Sequence, residues 1–118
     1  MKPRFAVLLE DAENAQHGNL PFVSYFLQDE TDPSLSNWNG TFMFKNGNGL
    51  FFTISCGDKY PDEVPIITFE QAPRVTSKIS LNGNQMRIDS QVCKEWLKID
   101  HNKRNLDELL TLVFNNLK

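Results

Sequence analysis

Three segments of alternating apolar residues constrain the fold of this chain most strongly. Residues 22–27, 38–44 and 50–56 each alternate between two faces, which is the period of a half-buried β-strand. Residues 46–49 read Asn-Gly-Asn-Gly, a strong signal for a hairpin turn between the last two segments. A fourth, shorter run at 66–69 follows a proline-marked loop. The pattern predicts a four-stranded antiparallel meander.

The two faces of the predicted sheet differ in composition. One face is almost entirely large and apolar, as at Trp38, Phe42 and Phe52, and is expected to pack on a helix. The other face also carries several large apolar side chains, which is unusual for a face that meets solvent. Either another element of the chain covers it, or it docks a protein, which we favour. This second face mixes small hydroxyls with large apolar side chains: Ser24, Thr41, Thr53, Phe22, Phe26, Met43 and Phe51.

Helical periodicity flanks the meander on both sides. From Pro3 to about Ala15, apolar residues recur at helical spacing, and a clear amphipathic helix follows a plausible N-cap at Asn105. After Phe69 the pattern fails for roughly 25 residues, which predicts an irregular segment before the last helix. The order predicts an α+β fold in a single domain over 1–118. The two apolar stripes are Phe5, Leu8, Leu9 and Ala12, and Leu106, Leu109, Leu110, Val113 and Leu117.

Charge and composition exclude several classes of protein. The 118 residues carry 12 basic and 15 acidic side chains, a net charge of −3, so the basic surface typical of a nucleic-acid binder is absent. No apolar stretch is long enough to span a membrane, and the N-terminus lacks the pattern of a signal peptide. Two cysteines are too few for a disulfide framework. We expect reduced thiols and a cytoplasmic and nuclear protein.

Residues that carry catalytic or metal chemistry are sparse. The two histidines, His17 and His101, do not pair with a cysteine at metal-ligand spacing, so no metal site and no cofactor are expected. Cys56 falls on the buried face of a predicted strand and is interpreted as a small core residue. Cys93 stands beside Lys94, which could stabilise a thiolate. No obvious base is near Cys93 in the sequence, and a base brought close by the fold is the alternative.

Two segments resemble a known family. Residues 60–69, Tyr-Pro-Asp-Glu-Val-Pro-Ile-Ile-Thr-Phe, are similar to the Tyr-Pro…Pro…Phe signature of ubiquitin-conjugating enzymes. Residues 34–41, Ser-Leu-Ser-Asn-Trp-Asn-Gly-Thr, resemble more closely the catalytically inactive ubiquitin-conjugating enzyme variants. These variants are partners of the enzyme that builds lysine-63-type chains. The resemblance covers nearly the whole chain and implies the ubiquitin-conjugating-enzyme-like fold.

Active members of that family carry a His-Pro-Asn tripeptide and a thioester cysteine some eight residues before the equivalent of Trp96. Here no histidine lies between His17 and His101, and Cys93 is too close to Trp96. The cysteine holds ubiquitin as a thioester and the Asn stabilises the oxyanion. The chain also ends after the helix that follows Trp96, without the last two helices of active enzymes. The resemblance therefore implies a pseudo-enzyme.

The resemblance also implies two binding surfaces. The N-terminal helix and the loop after the first strand dock on an active conjugating enzyme, and the open sheet face holds acceptor ubiquitin without a covalent bond. Two departures stand out: the family's Pro-Arg-Asn-Phe reads Pro-Arg-Phe-Ala here, and an aliphatic contact falls at Gly49. The predicted partner-binding residues are Phe5, Leu8, Leu9, Asp32, Ser34 and Leu35. The predicted ubiquitin-binding residues are Ser24, Thr41, Phe26, Met43 and Phe51.

Three functions compete at this stage. The leading hypothesis is a non-catalytic subunit that orients acceptor ubiquitin for lysine-63-type polyubiquitin chain synthesis in a heterodimer. The second is a protein-binding module of the RWD-like or cargo-sorting kind, without a role in chain synthesis. The third is an active enzyme that uses Cys93 as its nucleophile. The segment around Trp38 favours the first.

Overall fold

The structure, a computed structural model, describes residues 3–117. A six-stranded antiparallel sheet carries three helices, and its strands lie in the order β1-β2-β3-β4-β6-β5. A 3₁₀ turn at His101–Lys103 precedes the last helix. The elements in chain order are α1 (Arg4–His17), β1 (Val23–Leu27), β2 (Asn37–Met43), β3 (Gly49–Ser55), β4 (Ile66–Phe69), β5 (Leu81–Asn82), β6 (Gln85–Met86), α2 (Gln91–Leu97) and α3 (Leu106–Asn115).

The register of the meander confirms the alternation in the sequence. Ser24 pairs with Thr41 across β1 and β2, and Thr41 pairs with Phe51 across β2 and β3. Since directly opposed residues of an antiparallel pair point to the same face, the three side chains share one side of the sheet. Trp38 and Phe42 alternate with them and are fully buried. The helices cover that second side.

Aromatic side chains fill the space between the sheet and the helices. Trp38, Trp96 and Tyr60 are the largest fully buried side chains. The rings of Tyr60 and Trp96 stack with centroids 6.3 Å apart, and those of Phe42 and Phe52 lie 4.7 Å apart. Rings at these separations pack favourably beyond the area that they bury. The nearly all-apolar face of the meander is therefore the core, as predicted.

The segment predicted to be irregular contains more structure than its sequence indicates. It holds the two-residue strands β5 and β6 and the seven-residue helix α2. Strands of two residues are too short to show a period, and α2 spans only about two turns. Its side chains Val92, Cys93 and Trp96 are all buried in the core.

The apolar stripe predicted on α1 does not form a single buried face. Val7, Leu8 and Asp11 point into the core, whereas Phe5 is 52% exposed and Leu9 is also exposed. The helix is therefore rotated relative to the predicted stripe, and a carboxylate takes a core position. Leu8 is fully buried, so its predicted contact with a partner is wrong.

Phe22 also departs from the predicted alternation. It precedes β1 and turns towards the helices, where its ring stacks on Phe114 of α3 with a centroid separation of 4.3 Å. The ring is partly buried rather than displayed with Ser24 and Phe26. Alternation fails here because Phe22 lies outside the regular strand.

Asp11 connects three parts of the fold. Its carboxylate accepts a hydrogen bond from the Tyr60 hydroxyl at 2.7 Å and another from the Leu106 backbone N–H at 2.9 Å. The second bond satisfies an N–H in the first turn of α3 that has no partner within the helix. Burial raises the pKa of the Asp11 carboxyl to about 7, against the opposing effect of both hydrogen bonds. Desolvation therefore exceeds the stabilisation that the two donors give to the charged form.

The raised pKa of Asp11 predicts a pH-dependent stability. The pKa of an aspartate in an unfolded chain is about 3.9. The folded protein therefore binds more protons than the unfolded chain between about pH 4 and pH 7. The free energy of unfolding therefore contains a contribution that decreases as pH rises through this window. Urea unfolding of wild type and Asp11→Asn, from pH 4.5 to 7.5, isolates that contribution because both proteins share the other titratable groups.

We expect the difference in unfolding free energy, wild type minus Asp11→Asn, to fall by up to about 1.4 kcal/mol per pH unit. The Asn side chain keeps a carbonyl oxygen for the Leu106 N–H but cannot ionise. A difference that stays constant across the window would contradict the raised pKa.

Candidate functional site

The open face of the sheet is the first candidate docking surface. Ser24, Thr41, Phe26, Met43 and Phe51 all lie on it, as their shared register requires. No element of the described chain covers the apolar members, and Phe51 is 57% exposed. Small hydroxyls therefore alternate with exposed apolar side chains, as the sequence predicts. Their role in binding ubiquitin remains a prediction.

A depression of about 480 Å³ opens on this face between the rings of Phe26 and Phe51. Its floor includes β2 at Gly40 and Thr41, and Glu70 lines its edge. A Cβ atom at Gly40 would lie 2.4 Å from Cζ of Phe52, which is closer than packed atoms tolerate. Glycine therefore lets the core ring sit directly behind β2.

The aliphatic contact expected near the hairpin is missing. Gly49 begins β3 and pairs with Met43 at the end of β2, so the Met43 side chain is the nearest large apolar group on that strand pair. A Cβ atom at Gly49 would lie 3.2 Å from Cγ2 of Thr41. The surface around Thr41 is thus flatter here than a larger residue at position 49 would make it.

The exposed side of α1 is the second candidate surface. Phe5 and Leu9 are spaced i, i+4 and lie on the same side of the helix, and both are exposed. Ala12 and Gln16 continue this row and line a groove of about 370 Å³ between α1 and β1. The remaining apolar residues predicted for docking thus form a continuous row along one side of α1.

The loop between β1 and β2 is held in one conformation beside α1. The Asp32 carboxylate accepts a hydrogen bond from the Ser34 backbone N–H at 2.9 Å, and the Leu35 carbonyl accepts one from Trp38 Nε1 at 3.0 Å. Leu35 has a φ of +53°, which is rare for a residue with a branched side chain. The predicted docking residues Asp32 and Leu35 therefore also maintain the loop.

Arg4 joins α1 to this loop and was not among the predicted site residues. Its Nη2 donates to Ser36 Oγ at 2.7 Å and to the Cys56 carbonyl at 3.0 Å, and its Nε donates to the Gly57 carbonyl at 2.9 Å. These bonds fix the start of α1, with Phe5, relative to the loop. Nothing in the sequence pattern marks Arg4 for this role, because its partners are more than 30 residues away.

Neither thiol has the surroundings of a reactive cysteine. Both cysteines are buried. Burial raises the pKa of Cys56 far above its ordinary value and that of Cys93 to about 11. Since the thiolate is the reactive form, such thiols are poor nucleophiles near neutral pH. The Cys93 side chain faces the Arg87 carbonyl oxygen at 3.6 Å, and Lys94 points to solvent.

Residues 3–117 contain no group of three His, Cys, Asp or Glu side chains that could hold a metal ion. His101 pairs with Asp62, and a small cleft beside them also contains Tyr60 and Pro61. None of the helices in this part of the chain combines the length and the apolar character that crossing a bilayer requires.

Comparison with known proteins gives the family. No family model matches the chain. The ubiquitin-conjugating enzyme variant MMS2 of Saccharomyces cerevisiae is 31% identical over 105 residues, which are 80% of this chain and 72% of the yeast protein. The ubiquitin-conjugating enzyme spm2 of Schizosaccharomyces pombe is 34% identical over 87 residues, covering 69% of this chain and 58% of that protein.

Solved structures agree on the fold. Human ubiquitin-conjugating enzyme E2 G1 matches with a TM-score of 0.62 at 14% identity, and the match covers 98% of each chain. At this identity the likeness establishes the fold alone, whereas the yeast relative shares sequence across most of both chains. On these grounds the chain belongs to the ubiquitin-conjugating enzyme variant family.

Proposed function

We propose that the protein is a non-catalytic subunit that pairs with an active ubiquitin-conjugating enzyme and holds acceptor ubiquitin during lysine-63-type chain synthesis. The observation that carries the proposal is the uncovered sheet face, where small hydroxyls lie among exposed apolar side chains. The family of the chain supports it, as do the two buried thiols. Its place of action would be the cytosol and nucleus, where thiols stay reduced.

The subunit would act by position. The partner enzyme carries the thioester, and this chain presents one lysine of the acceptor to it, which turns an encounter of two molecules into a reaction within one complex. Side chains as small as Ser24 and Thr41 let another protein approach the sheet closely. Phe26, Met43 and Phe51 supply apolar area around that contact, which stabilises it as their area leaves water.

The two candidate surfaces lie on different elements, so both partners can bind at once. Phe5 and Leu9 on α1 would contact the conjugating enzyme, and the sheet face would contact the acceptor. The backbone of the β1–β2 loop joins them, since it begins at the end of β1 and is tied to α1 through Arg4. This connection would fix the angle between the two bound proteins.

A simple binding module is the second candidate. The depression between Phe26 and Phe51 is favourable for an apolar side chain from a peptide, and Phe5 stands one position earlier than the family's anchoring ring. A module of this kind would bind its target without any conjugating enzyme. Failure to pair with a lysine-63-type enzyme, combined with retained binding at the sheet face, would favour it.

The first prediction of the proposed function concerns inactivity. Because Cys93 is buried and its pKa is raised, Cys93→Ser is expected to leave chain synthesis by the reconstituted pair unchanged within twofold. Mass spectrometry after incubation with activating enzyme, ATP and ubiquitin is expected to find no reducible adduct on the wild-type chain. An adduct on Cys93, or a large loss of rate in a folded variant, would support the active-enzyme hypothesis instead.

The second prediction concerns pairing. Phe5→Ala removes an exposed aromatic of the kind that often dominates an interface, and is expected to weaken heterodimer binding by roughly 2 kcal/mol or more. Isothermal titration calorimetry with a purified lysine-63-type conjugating enzyme measures the affinity. Ala6→Ser, at the neighbouring exposed position of α1, is the matched control. A lower melting temperature with unchanged affinity would show that Phe5 supports the fold instead.

The third prediction concerns the acceptor. Ser24→Arg places bulk and charge on the sheet face and is expected to abolish free-chain synthesis while the heterodimer still forms. The loss of binding should also appear in labelled ubiquitin: titration with the variant heterodimer should no longer change its amide chemical shifts. Gln85→Arg adds the same charge at an exposed position on β6, far across the sheet, and should leave both readouts intact. If Ser24→Arg behaves like this control, the sheet face is not the acceptor site.

A further inference from the structure

The exposed large apolar side chains of the described residues fall into three groups. Two of the groups are the surfaces already assigned to the conjugating enzyme and to acceptor ubiquitin. The third lies elsewhere, and the proposed function makes no use of it. The groups are Phe5 with Leu9, then Phe26, Met43 and Phe51, and finally Ile66, Ile88 and Leu97.

The third group surrounds a groove of about 370 Å³. Ile66 is the first residue of β4, Ile88 lies in the turn before α2, and Leu97 is the last residue of α2. We call this site the end groove, defined by these three residues with Val64, Asp62 and Glu63. Ile88 is 67% exposed, the highest value among the large apolar residues of 3–117.

The end groove adjoins the predicted acceptor surface on the sheet. Along β3 the outward positions after Phe51 are Thr53 and Ser55, and Ser55, which lines the groove, pairs with Ile66. Ile66 therefore lies on the same sheet face as Phe51, with the hydroxyl side chains of Thr53 and Thr68 between them. Ile88 and Leu97 lie outside the sheet, so the groove includes apolar side chains that the predicted acceptor site lacks.

The turn that displays Ile88 is anchored on both sides. Arg87 and Asp89 form a two-point ion pair, with Nε to Oδ1 at 3.0 Å and Nη2 to Oδ2 at 2.8 Å. The buried Ser90 hydroxyl accepts from the Ser80 N–H at 2.9 Å and donates to the Ser80 carbonyl at 3.2 Å. Because the turn is already held in this way, a partner that covers Ile88 has little further backbone to order.

The charge of the end groove is of one sign. Asp62 and Glu63 are the titratable residues that line it. Lys59 Nζ lies 3.8 Å from Glu63 Oε1. Both side chains are exposed to solvent, so this ion pair is weak and leaves the Glu63 carboxylate accessible to a partner. His101 contacts Asp62 from the neighbouring 3₁₀ turn. Two carboxylates beside three exposed apolar side chains complement a partner that is both apolar and basic.

We propose that the end groove docks a short segment of another protein that carries two apolar side chains next to a lysine or arginine. The apolar pair packs between Ile66, Ile88 and Leu97, and the basic side chain reaches Asp62 or Glu63. A second copy of this chain is a poor occupant, because its own end groove would bring further carboxylates to the same place. The site would serve as a third contact beside the two proposed binding surfaces.

Selection from a random twelve-residue peptide library on phage tests the proposal. The library is selected on the immobilised full chain and depleted against Ile88→Asp, which changes an exposed position. We expect enriched peptides to share an apolar pair with an adjacent Lys or Arg. A synthetic peptide of that consensus, followed by fluorescence polarisation, should bind Ile88→Asp and Leu97→Ser at least tenfold more weakly, and Glu63→Lys at least threefold more weakly.

Phe51→Asp and Ser24→Arg serve as controls and should bind the same peptide as wild type does, since neither residue lines the end groove. Melting temperatures of all variants check that the fold is retained. The proposal is overturned if no peptide family is enriched, if the consensus is acidic, or if binding survives Ile88→Asp. Because neither heterodimer formation nor chain synthesis enters this experiment, its failure is distinguishable from failure of the proposed function.

Discussion

The buried carboxyl of Asp11 sets the arrangement on which the other features depend. It connects α1, the loop that holds Tyr60 and the first turn of α3 through two hydrogen bonds. With Asp11 turned inward, Leu8 follows it into the core while Phe5 and Leu9 are left on the surface. The side of α1 that stays exposed is thus a consequence of a polar contact inside the molecule. Burial in this position raises the pKa of the Asp11 carboxyl.

The same contact marks the limit of inference from the sequence. Strand alternation predicted the meander and its two faces correctly, because each strand there is long enough to show its period. The predicted stripe on α1 takes account of apolar residues alone. The helix in fact turns Asp11 inward, so its buried side differs from that stripe. Tyr60, the partner that makes this burial tolerable, is 49 residues away, and no local pattern connects the two.

The candidate surfaces also differ in how far the sequence predicts them. The sheet face could be predicted within the regular strands, since Ser24, Thr41 and Phe51 follow from parity and register, whereas Phe22 lies just outside β1 and turns away. The end groove could not, because Ile66, Ile88 and Leu97 come from a strand, a turn and a helix that meet only in the folded chain. Periodicity describes a surface within one element or between paired strands. It does not describe a surface where unrelated elements end side by side.

The left-handed conformation of Leu35 has a consequence for how fast partners associate. Holding a branched residue there costs roughly 1–2 kcal/mol, and the hydrogen bond from Trp38 to its carbonyl helps to hold it within the fold. In the docking that we propose, the loop would meet the conjugating enzyme with Leu35 already in this conformation. The acidic side chains of the same loop, Asp29, Glu30 and Asp32, would then steer the encounter electrostatically. The ionic strength would therefore change the rate at which the two proteins associate.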